Sequence, residues 1–259
     1  MSMTAIRGIT DQAQITLTDE QIEQFHREGY LGPLKMCEPD EMLSLHPEMQ
    51  RIHETPMVGP DGPHSNATHN RHLDQRSIYD LSTHPAILER MKQIMGEDLL
   101  LWRTNFFTKY PGGKEIPWHQ YLNYWPIEPA VVISALIAID KTTTENSCIE
   151  LIPGTHRRVV KHVKAHEDMA FPEMADPDVV DTSKAVQLEM EPGEFILFNE
   201  RTMHHSEPNR SQLRRMALAV RVIIPCVRVL KYDSDNHGVV VISGQDKLGF
   251  NRHSDPPSA

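Results

Sequence analysis

From residue 99 onward the apolar residues stop recurring every three or four positions and fall into short runs, a change of period that commits most of the chain to β structure. The runs are 99–110, 130–140, 185–190, 194–198 and 215–227, each rich in Val, Ile, Leu and Phe and separated by Gly, Pro or Asn. Short strands at that spacing predict a double-stranded β-helix, the jelly-roll or cupin-like arrangement. Ahead of them the helical period holds. Thr18-Asp19-Glu20-Gln21 reads as a capping box, Ile22 and Phe25 share one face, and Gly29 stops the helix. Pro85 opens a second helix whose apolar positions Ile87, Leu88, Met91, Ile94 and Met95 end at Gly96. The expected fold is mainly β with flanking helices: one domain with a helical buttress over about 1–98, a β-helix core over about 99–230 and a C-terminal extension over 231–259.

At 259 residues the chain is long for an average domain, yet barrels and sandwiches of this size form single units. A formal charge of −10, with no basic stripe interleaved with aromatics, argues against a nucleic-acid partner. The longest apolar run, 130–139, is too short to cross a bilayer, and residues 1–7 lack a signal-peptide core. Cys37, Cys148 and Cys226 are odd in number and far apart, which gives neither a disulfide framework nor thiolate metal spacing. These features point to the cytoplasm and a small-molecule substrate.

Chemistry is concentrated in two stretches. One is Trp118-His119-Gln120-Tyr121-Leu122-Asn123-Tyr124-Trp125; the other is Met203-His204-His205-Ser206-Glu207-Pro208-Asn209, followed by Arg214-Arg215. A mononuclear Fe(II) oxygenase needs three protein ligands, usually two His and a carboxylate, on one face of an octahedron, leaving the other face open. Side chains at i and i+2 of a strand point the same way, so His-x-Asp delivers an imidazole and a carboxylate to one metal. Here that unit reads His119-Gln120-Tyr121, a phenol in place of the acid. Of the neighbours His204 and His205 only one can point inward. Arg214 alternates away from Arg215 in the same manner.

Several blocks together resemble the phytanoyl-CoA dioxygenase family of Fe(II)/2-oxoglutarate-dependent oxygenases. They are Trp118-His119-Gln120 with Tyr124-Trp125, then residues 146–156 (NSCIELIPGTH), Glu191-Pro192-Gly193-Glu194, and His204 through Arg215; they span roughly half the chain. The resemblance implies Fe(II), 2-oxoglutarate and O₂ as cofactor and cosubstrates. It implies His119 and His204 as metal ligands, with Tyr121 at the position of the usual Asp, and His205 in a surface or supporting role. Arg215 would pair with the distal carboxylate of 2-oxoglutarate, a task suited to a planar guanidinium, and Ser206 would hydrogen-bond the same group. Gln120 and Asn105 would face the cosubstrate. Trp118, Trp125 and Leu136 are candidates for the pocket wall, and His156, after a turn that recurs in the family, is read as structural.

Tyr121 leaves several readings open. A phenolate binds iron directly if the metal deprotonates a group whose ordinary pKa is about 10. The chain is otherwise a catalytically impaired homologue serving as a ligand-binding or partner subunit, in a homodimer or a heterodimer with a homologue. Halogenase-like chemistry is a third reading, although Tyr is bulky for a site that must admit a halide. Elsewhere, residues 55–70 read as a long loop, with His64, His69 and His72 in or near it as solvated histidines. Residues 161–184 break the strand rhythm and form a lid, a substrate wall or a surface insertion. Residues 233–259 are polar and are expected to pack loosely or to serve a dimer contact.

Overall fold

A computed structural model of the chain describes residues 6–55, 68–121, 124–235 and 237–258, and the backbone of 58–59 and 62–63. Two sheets built from ten strands face each other. The strands are β1 (Tyr30–Lys35), β2 (Leu99–Lys109), β3 (Ile116–His119), β4 (Val132–Ala138), β5 (Ile149–Ile152), β6 (Val186–Leu188), β7 (Glu194–Asn199), β8 (Met203–Ser206), β9 (Arg215–Ile223) and β10 (Val240–Ser243). The larger sheet runs β1-β7-β4-β9-β2-β10 and the smaller β6-β5-β8-β3, antiparallel throughout. This is the jelly-roll arrangement expected, as two sheets rather than a closed barrel.

Alternation along the larger sheet divides its residues between two cores. Leu101, Ile133, Ile137, Phe195, Leu197, Leu218 and Val220 face outward and pack against the helices through Phe25, Met42, Met49, Ile52, Ile87 and Met91. Leu136, Ala138, Ile196, Phe198, Ala217 and Ala219 face the smaller sheet and meet Ile149, Leu151 and Leu188. Each buried aliphatic side chain contributes about 1.5–3 kcal/mol, and the helical cluster holds the larger sheet as a rigid floor.

The helix Asp19–Glu28 begins with both halves of the capping box, Thr18 Oγ1 accepting from Gln21 N and Gln21 Oε1 accepting from Thr18 N. It ends at Gly29, whose φ of 81° is left-handed; a Cβ there would lie 2.3 Å from His156 Nδ1. His156 thereby docks the helix end, its Nε2 3.2 Å from the His26 carbonyl. The second helix runs from Pro85 to Met95 and is capped at Gly96.

Two expectations are corrected. The C-terminal segment does not pack loosely: β10 pairs with β2, Val239 and Val240 are buried, and His237 Nε2 lies 2.8 Å from the Trp102 carbonyl. His72 is not solvated, and His69 is half-buried. His72 is fully buried with Nδ1 2.9 Å from Thr104 Oγ1, and His69 bridges to Asn105 beside a pocket. His64 and most of the 55–70 stretch lie outside the described residues. Strand β1 was not anticipated, because Gly32-Pro33 interrupts its pattern; its register with β7 shifts at that point.

Candidate metal and cosubstrate site

β3 and β8 are neighbours in the smaller sheet, and their register places His204 opposite His119. The two rings lie 4.1 Å apart between centroids. Each is oriented by the same device: His119 Nδ1 is 2.8 Å from the Pro117 carbonyl and His204 Nδ1 is 2.8 Å from the Thr202 carbonyl. A carbonyl only accepts, so the hydrogen sits on Nδ1 and the lone pair on Nε2. Both Nε2 atoms are buried without a partner. Burial pushes the His204 pKa down to about 4, and burial with the neighbouring His204 holds His119 well below its ordinary value. Two neutral, oriented imidazoles with free Nε2 atoms suit a transition metal, which requires deprotonated ligands.

Tyr121 does not complete a carboxylate triad. Its ring stacks on Trp125 at 4.3 Å and lies 4.5 Å from the His204 ring. Burial raises its pKa, and the nearby Arg221 guanidinium acts the other way. Among the described residues no Asp or Glu joins the two imidazoles in a metal-binding group. The donors therefore fit a metal through two imidazoles, with the Tyr121 ring beside both of them.

Arg215 opens β9 on the same cavity. It is buried, its Nη1 donates to the Phe107 carbonyl at 3.3 Å, and its Nε has no partner. Burial lowers its pKa to about 10, leaving it charged at neutral pH. Ser206 also lines the cavity, and Lys109 Nζ, opposite Arg215 in the register, donates to Ser206 Oγ at 2.8 Å and lies 2.9 Å from Ser147 Oγ. Burial, then Arg215, brings the Lys109 pKa down to about 7. Leu136 forms part of the wall. The space left is about 30 Å³, room for roughly two waters.

A second, wider pocket of about 250 Å³ shares Tyr121 and Phe107 with this cavity. Trp125, Asn105, Arg221 and His69 line it, and Tyr124 and Phe171 stand at its side. Phe171 comes from the 161–184 excursion and reaches within 4.9 Å of the His119 ring.

The structure separates several expected residues from the cavity. Gln120 does not face the cosubstrate: its Nε2 donates to the Arg158 and Arg201 carbonyls at 2.7 Å, and its Oε1 accepts from Val160 N at 3.0 Å. It follows an inward His119 and so points outward, tying residues 155–160 and Arg201 to the end of β3. Trp118 likewise turns out, stacking at 4.7 Å on His205 and lining neither pocket. His205 is buried beneath it, not at the surface, with Nε2 3.2 Å from Glu115. Asn105 faces the wider pocket, with Oδ1 unpartnered. Sequence reasoning missed Lys109, Arg221, His69 and Phe171. Arg221 was accessible by counting, since 215, 217, 219 and 221 share one face of a strand; Phe171 lies in an irregular segment without such a rule.

The family model for phytanoyl-CoA dioxygenase (PhyH) matches residues 25–217. Dioxygenase lolE1 of Epichloe uncinata is 27% identical over 143 residues, 54% of this chain, which spans about half (52%) of that protein. The methylphosphonate hydroxylase of Gimesia maris is 27% identical over 214 residues, 78% of this chain and 79% of that one. Among solved structures, CytC3 with Fe(II) and alpha-ketoglutarate superposes with a TM-score of 0.73 at 29% identity, covering 93% of each chain.

Proposed function

Since the chain belongs to the phytanoyl-CoA dioxygenase family, we propose that it is a non-haem Fe(II)- and 2-oxoglutarate-dependent dioxygenase, working as one domain, that hydroxylates an unactivated C–H bond of a small organic substrate and releases succinate and CO₂. The observation that carries this reading is the convergence on one cavity of three buried, unpartnered atoms: Nε2 of His119, Nε2 of His204 and Nε of Arg215. Native proteins seldom leave such atoms unpaired unless a ligand completes them.

In this reading His119 and His204 hold the iron and Arg215 forms a bidentate pair with the distal carboxylate of 2-oxoglutarate. Ser206, fixed by Lys109, offers that carboxylate its hydroxyl. Bound iron supplies the redox chemistry with O₂ that no side chain provides. The carbonyls of Pro117 and Thr202 keep both imidazoles in one tautomer, and Phe198, Leu136 and Phe171 exclude water from reactive species.

One observation favours a second reading, a homologue that binds ligand or a partner without turnover. The Tyr121 ring fills space beside the imidazoles, so 2-oxoglutarate enters only if that ring moves. The same ring leaves little room for a halide. Anaerobic titration of metal-free protein with Fe(II), then 2-oxoglutarate, followed through the visible charge-transfer band of the chelate, separates the two. The dioxygenase reading expects a band in the wild type. A band confined to Tyr121→Asp would assign the natural chain to the non-catalytic reading.

A further inference from the structure

We propose that the wider pocket binds the anionic group of a small substrate, a carboxylate or a phosphonate, on the guanidinium of Arg221. The word substrate rests on the dioxygenase reading; the anion site does not.

Arg221 lies three inward positions along β9 from Arg215, and the residues between them on that face, Ala217 and Ala219, are small. The β9–β2 register shifts between Arg221 and Val222, a bulge of the kind that re-aims a side chain beside a site. Directly opposite in the register stands Arg103, and like charges facing each other across a ladder are destabilising. Arg103 has a counter-ion, its Nη2 lying 2.6 Å from Asp233 Oδ2. Arg221 has none: among the described residues no carboxylate forms an ion pair with it, it is only 4% exposed, and its Nε lacks a partner.

What surrounds Arg221 is aromatic. Its guanidinium lies 5.0 Å from the ring centroids of Tyr121 and Trp125 and 5.6 Å from that of Phe107. Cation–π contacts offset only part of the desolvation penalty of a buried ion. Rings also leave the edge of the fork free. A buried guanidinium short of an anion, facing a pocket that also presents His69 and Asn105, is a receptor for one. A volume of about 250 Å³ falls below the usual range for drug-sized ligands, so the occupant is small. An anion held at Arg221 directs the remainder of the molecule past Tyr121 toward His119 and His204, where its C–H bond would be oxidised.

The test is calorimetric titration of metal-free protein with butyrate and propylphosphonate, each beside a neutral counterpart, butyramide and the diethyl ester. The proposal expects both anions to bind at least tenfold more tightly than their counterparts, and their relative affinities identify the preferred class. Arg221→Gln should weaken the anions at least tenfold while leaving 2-oxoglutarate binding to the Fe(II) form within threefold, and Arg215→Gln should do the reverse. Should Arg221→Gln fail to fold, anion-induced quenching of tryptophan fluorescence that disappears in Trp125→Phe places the anion equally well. Equal binding of the neutral compounds, no binding of either anion, or anion binding abolished by Arg215→Gln and kept by Arg221→Gln would overturn the proposal. Failure of 2-oxoglutarate to bind the wild type, with the anion results intact, would overturn the dioxygenase reading alone.

Discussion

The two faces of the sheet formed by β3 and β8 treat buried polar groups in opposite ways. Facing outward, Gln120 is fully buried and saturated, its amide joining four backbone groups across 2.7–3.4 Å. Facing inward, His119 is just as buried, yet its Nε2 and that of His204 meet nothing. Burial alone therefore does not separate support from function; the state of the hydrogen-bonding groups does. His205 shows the limit of the division, because it stacks on outward-facing Trp118 with Nε2 near Glu115 and Nδ1 unpaired, yet it also borders the cavity.

If the division is sound, variants on the two faces should fail in different assays. His204→Ala should reduce Fe(II) affinity by on the order of 1000-fold, about 4 kcal/mol, one ligand's share of a typical metal-binding energy. Folding should suffer little by comparison, since the side chain makes one hydrogen bond. Gln120→Leu should do the opposite, strand the groups it satisfies, and destabilise the fold by about 3 kcal/mol in urea unfolding. Its Fe(II) affinity should stay within threefold of wild type; a loss matching that of His204→Ala would collapse the distinction between the faces. Arg215→Ala should weaken 2-oxoglutarate binding by about 2 kcal/mol, the worth of a charge-assisted pair. Unchanged affinity would remove Arg215 from the site.

Much of this was legible from periodicity. Alternation allowed only one of His204 and His205 to point inward, the family resemblance pointed to His204, and alternation turned Arg214 the other way, where it meets Asp140 at 2.7 Å. The capping box and the glycines at 29 and 96 fixed two helices because those rules depend on local backbone chemistry. Gln120 and Trp118 were misjudged although the same rule applies to them; membership in a motif was given more weight than the direction of a side chain. Arg221 was overlooked for the opposite reason, as a charge inside an apolar run with no motif around it. Strand β1 and the docking of residues 237–243 depend on partners more than a hundred residues away, which local pattern does not encode.

His72 asks whether an unpaired buried nitrogen is enough to mark a site. Its Nε2 also lacks a partner, but it lines neither pocket, and burial, then His237, pulls its pKa down to about 3. In the unfolded chain it titrates near 6.5. Between these values the unfolded state takes up a proton that the folded state refuses, so its share of stability is intact above about pH 7 and falls as pH drops below 6.5. Without a ligand to complete it, His72 should therefore act as an acid sensitivity and nothing more. From pH 6 to pH 5 the wild type should lose about 1 kcal/mol more unfolding free energy than His72→Gln, while Fe(II) affinity at pH 7.5 remains the same in both. Parallel pH profiles would mean that His72 titrates normally in the fold. A fall in Fe(II) affinity would mean that an unpaired nitrogen outside the cavity still serves the site, and that the cavity is not what distinguishes His119 and His204.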